Sequence, residues 1–168
     1  MLGDVVVTNN EDENDVLEVA NVPADAEVNV YDAPTGGNRI GQVVRAQTTG
    51  PVTIPFTNGS LWSDATVYLA MKETGKQESP RVAVPVLSLS PTSTQNLIQI
   101  SWSNALDFSD IKIYLNDVLQ AETGNINYYD FNGLAQGTSY SIRVELRDPD
   151  VDGPQIIIRA IVPTQNEL

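Results

Sequence analysis

Apolar and polar residues alternate in segment after segment of this chain, and no stretch sustains the i, i+3, i+4, i+7 spacing of a helical face over a helix length. The period of two predicts β-strands that each turn one face to a core. It is clearest in Thr138–Arg147, T-S-Y-S-I-R-V-E-L-R, where Tyr140, Ile142, Val144 and Leu146 point one way and Ser139, Ser141, Arg143, Glu145 and Arg147 the other. Further strands are predicted over Val16–Val19, Glu27–Tyr31, Val67–Met71, Ile98–Trp102 and Ile111–Leu115. Turn signals separate them at Thr35–Asn38, Asn58–Gly59, Thr74–Lys76, Thr123–Asn125 and Asn132–Gly133.

The strands recur in the same order. R-V-A-V-P at Arg81–Pro85 returns as R-A-I-V-P at Arg159–Pro163, V-N-V-Y ending at Tyr31 as I-K-I-Y ending at Tyr114, and T-V-Y at Tyr68 as T-S-Y at Tyr140. The offsets differ by a few residues, as loop insertions between equivalent strands would make them. Two homologous domains are therefore expected, residues 1–85 and 86–168. The junction Ala83–Leu89 leaves little room for a flexible linker, so the last strand of the first domain is expected to run almost directly into the first strand of the second, which predicts a limited hinge and no free tumbling.

The second domain resembles a fibronectin type III domain. The resemblance is carried by I-S-W at Ile100–Trp102, by I-K-I-Y, and by L-A-Q-G-T-S-Y, whose Leu134, Thr138 and Tyr140 have the spacing of that family's tyrosine corner. It implies that Trp102 is the core tryptophan and that the Tyr140 hydroxyl bonds to nearby backbone. The first domain, through V-N-V-Y-D-A-P-T-G-G-N-R-I-G and V-Y-L-A-M-K-E-T-G-K-Q-E-S-P-R-V-A-V, resembles the immunoglobulin-like repeats of surface-layer and other cell-wall proteins of Gram-positive bacteria. That resemblance implies an exported, multidomain parent at the bacterial cell surface; a phage tail or capsid decoration is the other setting with similar beads. The expected fold class is all-β, with two tandem antiparallel β-sandwiches, Ig-like and then fibronectin type III-like.

Composition narrows the chemistry. Among 168 residues there is no cysteine and no histidine, which removes thiolate and imidazole metal sites, thiol nucleophiles and histidine-based triads. The net charge of −13 disfavours nucleic acid and acidic membranes as partners and suits divalent cations. No apolar run is long enough for membrane insertion as a helix, and Met1–Asp4 does not open a signal peptide, so a cytosolic protein or a mature or excised fragment is expected, the latter favoured by the resemblance.

Two places carry candidate chemistry. Arg147–Gln155, R-D-P-D-V-D-G-P-Q, spaces Asp148, Asp150 and Asp152 like the opening of an EF-hand calcium loop, with Gly153 for the turn. The bidentate acid of that motif would fall on Arg159, within a strand, so the loop is no EF-hand. It is either a shorter calcium loop, completed by Glu145 or by an acid of a neighbouring loop, or a hairpin turn whose carboxylates face water. Trp62 could stack on a sugar ring, with Tyr128, Tyr129 and Phe131 as a second aromatic group, or these rings serve the core. Asn9–Asp15, N-N-E-D-E-N-D, is expected as an exposed connection, solvated or weakly cation-binding.

No catalytic constellation emerges, and no cofactor beyond calcium is expected. The reading is a non-catalytic spacer segment of a bacterial extracellular protein whose partners are neighbouring domains of a longer chain. The competing readings are a recognition module for cell-wall glycan or protein, and accessory domains of a secreted polysaccharide-degrading enzyme.

Overall fold

The computed structural model describes residues 5–10, 14–56, 65–103, 107–147 and 155–166. They form fourteen strands and, among the described residues, no helix: β1 (Val5–Asn10), β2 (Asp15–Val22), β3 (Glu27–Tyr31), β4 (Arg39–Arg45), β5 (Gly50–Phe56), β6 (Thr66–Lys72), β7 (Val82–Pro85), β8 (Ser90–Ser93), β9 (Leu97–Ser101), β10 (Asp110–Leu115), β11 (Val118–Thr123), β12 (Tyr128–Asn132), β13 (Ser139–Arg147) and β14 (Gln155–Pro163). The alternation predicted for Ser139–Arg147 is observed on β13, with Ile142, Val144 and Leu146 buried between more exposed neighbours.

The strands make three sheets. One has seven strands in the order β11, β10, β13, β14, β1, β2, β5; the others are β12, β9, β8 and β4, β3, β6, β7. Adding seven to each strand number of the first half reproduces the second. In both halves the first, second and fifth strands form one layer, while the fourth, third, sixth and seventh form the other. The chain is an all-β assembly of sandwich layers, antiparallel in every described pair but one, with a fibronectin type III-like strand order.

The seven-stranded sheet draws on both halves, because β14 pairs in parallel with β1 from Val6 opposite Gln155 to Asn10 opposite Arg159. Side chains opposite one another in a sheet share a face. Ile111, Leu146, Ile156, Val7, Leu17 and Ile54 are successive partners across six strands, and each is 0% exposed. One face of the sheet is thus covered across both halves, and a single apolar core runs beneath it. Burying each such side chain contributes roughly 1.5–3 kcal/mol, so this row is a large part of what holds the halves together.

The junction is also tied down. Val86, Leu87 and Leu89 are buried, the Val86 amide donates to the Ala65 carbonyl at 2.8 Å, and Asn9 Nδ2 donates to the Leu87 carbonyl at 2.7 Å. A hinge needs solvated, unpaired backbone; this segment is packed and hydrogen-bonded, so the expected hinge is absent from it.

Candidate functional site

The structure frames the aspartate loop. Leu146 and Ile156 are paired partners near the ends of β13 and β14, the strands that precede and follow the aspartate stretch in sequence. Asp148, Asp150 and Asp152 lie outside the described residues, as does Trp62 between β5 and β6. Among the described residues no three carboxylates gather as a metal ion would require.

The Asn9–Asp15 expectation needs correction at both ends. Asn9 and Asn10 belong to β1, and Asn9 is 8% exposed; Asp15 opens β2 at 0%. Charge and polarity in a short window signal solvent, but Asn9 and Asp15 face into the layer because Asn9 falls in step with Val5 and Val7 on β1 and Asp15 in step with Leu17 on β2. Glu11–Glu13 lie outside the described residues.

The second aromatic group does not form one surface. Phe131 is buried, Tyr129 packs edge-on to it with centroids 4.9 Å apart, and Tyr128 alone is strongly exposed at 58%. Positions 129 and 131 share a face of β12 while 128 points away, so the group is split by the strand period itself. Trp102 is buried as the resemblance implies, and the Ala135 amide donates to the Tyr140 hydroxyl at 2.8 Å, which closes the tyrosine corner.

The best organised polar cluster was not anticipated. Tyr31, at the end of β3, lies under the Arg81 guanidinium, whose Cζ is 3.4 Å from the ring centroid. Arg81 Nη1 donates to the carbonyls of Ala33 at 2.5 Å and Gly36 at 2.7 Å. The Tyr31 hydroxyl and Asn29 Nδ2 both donate to Glu78 Oε1, at 2.8 and 2.9 Å. Burial, and after it the Glu78 carboxylate, push the Tyr31 phenol above its ordinary range. Such a phenol stays protonated and donates; it is no nucleophile at neutral pH. Apart from Asn29 Oδ1, which is buried without a hydrogen-bond partner, the polar contacts of the cluster are to one another and to backbone, and together they brace the β3–β4 and β6–β7 connections.

A related arrangement occurs at the equivalent tyrosine. Arg143 lies over Tyr114 with Cζ 4.0 Å from the centroid, and the Tyr114 hydroxyl donates to Glu145 Oε2 at 3.3 Å. Here the cation and carboxylate come from β13, whereas in the first half both come from the connection between β6 and β7. Tyrosine, arginine and glutamate are reused on a sheet face by different routes, and the pattern V-N-V-Y against I-K-I-Y was the one trace of it in the sequence.

Two further ion pairs join neighbouring strands nearer the surface. Arg45 and Glu27 approach to 2.5 Å across β4 and β3, and the Arg45 hydrogen bond holds the Glu27 carboxyl below its usual range. Lys112 and Glu122 stand 3.7 Å apart across β10 and β11.

No protein-family model matches the chain, and no curated protein matches it. Solved structures similar to it include the central fibronectin-III array of RIM-binding protein, at 15% identity over 99% of this chain and 69% of that one, with a TM-score of 0.42. The FN1-FN3 domains of chicken CNTN1 align at 13% identity over 96% of this chain with a TM-score of 0.32, and the chain spans 64% of their length. A two fibronectin type-III domain segment from chicken tenascin aligns at 12% identity over 97% of this chain and 99% of that one, with a TM-score of 0.39. The fibronectin type III-like description of the fold rests on the chain's own repeated strand order and on the Tyr140 corner.

Proposed function

We propose that this chain is a non-catalytic structural segment of an exported bacterial multidomain protein, built from the sandwich units 1–85 and 86–168 and acting as a stiff spacer between neighbouring domains. The observation that carries the reading is the apolar row from Ile111 to Ile54, which joins both halves through one covered sheet face. A spacer transmits position only if its parts do not swivel. The organised polar clusters support the same reading, since Glu78 and Arg81 are used to brace loops.

Calcium held by Asp148, Asp150 and Asp152 would stiffen the end of the last hairpin. Thermal unfolding after chelation, with and without calcium, tests that clause: the midpoint rises with calcium in the wild type and most of the rise is lost in Asp150→Ala. An unchanged wild-type midpoint removes it. The spacer reading itself is tested by sedimentation with purified Gram-positive cell walls and their soluble polysaccharides. The expected result is no saturable binding. Saturable binding abolished by Trp62→Ala would make the chain a recognition module instead.

A further inference from the structure

We infer that β1 and β14 form a tension-bearing clamp, loaded in shear when the chain is pulled through its ends. The two strands are the first and last among the described residues, they are hydrogen-bonded neighbours, and they run parallel. In a parallel pair the entry of the first strand and the exit of the second lie at opposite ends. Val6 is level with Gln155, and β14 continues for eight residues beyond that point, about 27 Å at strand spacing. A pull on the N-terminal side of β1 and a pull on the C-terminal side of β14 therefore act in opposite directions along the strands. The evenly spaced bonds between them share the load and must yield together. An antiparallel pair would have placed both ends at one edge and opened bond by bond.

Side chains reinforce the pair. Val7 lies beside Ile156 with both fully buried, so sliding β1 by one residue would turn Val7 to solvent and bring a neighbour into the core. Asn9 adds its bond to the Leu87 carbonyl, which ties β1 to the junction between the halves. Residues 11–154 form a loop closed by this pair, and their backbone bears no end-to-end tension until the clamp slides. The segment then resists stretching as one body about one strand long, in contrast to two beads yielding in series. The inference rests on the spacer reading for the source of the tension and on nothing else in it.

Single-molecule pulling tests the clamp on the intact chain in two geometries. With handles at Met1 and Leu168 the pair is sheared; with handles at Met1 and at a cysteine in Gln155→Cys, both strands are loaded at the same end and unzip. The expected rupture force is at least about twofold higher in the first geometry, followed by release of roughly 500 Å of contour from the enclosed segment. Equal forces in the two geometries would overturn the clamp, as would contour release from the enclosed residues before the peak. Because the instrument applies the tension, either result leaves the spacer reading to its own binding test.

Discussion

Asn9 and Leu87, 78 positions apart in the chain, meet where the Asn9 amide donates 2.7 Å to the Leu87 carbonyl inside the protein. The bond joins the first strand to the segment between the two halves, and Leu87 is itself buried. Replacing Asn9 with alanine removes the donor and leaves that carbonyl in an apolar setting. The expected cost is about 1–3 kcal/mol, read as a lower urea midpoint with an unchanged slope. A midpoint equal to that of the wild type would mean that the junction does not depend on this bond.

Tyr140→Phe tests the corner of the second half. It deletes only the acceptor for the Ala135 amide, and the expected loss is about 0.5–1.5 kcal/mol in equilibrium denaturation. The ring remains to fill its place, so the slope should not change.

Gly41 lies in β4 at φ +68°, where the pairing of β3 with β4 shifts register, and an added Cβ would stand 2.5 Å from the Phe56 ring. Both the backbone and the space exclude a side chain there. Gly41→Ala should therefore cost more than about 1 kcal/mol, and a thermal midpoint within error of the wild type would contradict the close approach of β4 to β5.

Tyr31 predicts an alkaline limit. Its phenol is raised in the folded protein, so the folded state holds the proton more tightly than the unfolded chain does. The resulting stability is fully present below the unfolded value of about 10 and is lost as pH rises through the folded one. Denaturation across that range should show the wild type losing stability more steeply than Tyr31→Phe. Parallel profiles would show that Tyr31 does not contribute.

Much of the architecture was legible because alternation reports which face of a strand is covered. Glu27–Tyr31 was read with the bounds that the structure gives it, the strand read over Thr138–Arg147 begins one residue later at Ser139, and the recurrence of Arg81–Pro85 at Arg159–Pro163 marked equivalent last strands. The hairpin between β10 and β11 was missed although its signal was present: Asn116 and Asp117 both adopt positive φ, the conformation that suits this residue pair in a two-residue turn. The pairing of β1 with β14 had no such signal, since a strand's pattern names its buried side and not its lateral neighbour. The Tyr31 cluster was hidden for a similar reason. Glu78 and Arg81 reach Tyr31 only because the long β6–β7 connection returns over the sheet. Of the sites expected from sequence, the aspartate loop is framed by its two strands, and the aromatic group was divided by the strand period that had suggested strands in the first place.

The central claim is that the first and last strands lie side by side and make the two halves one body. Paired spin labels on the outer face, in Thr8→Cys with Ile161→Cys, test it most directly, because the chain has no other cysteine. Thr8 is level with Ile157, so the labelled backbones should be separated mainly by four residues of strand, about 13 Å, with a narrow distance distribution. A broad distribution, or one centred at several times that separation, would contradict the account and restore two sandwiches strung end to end.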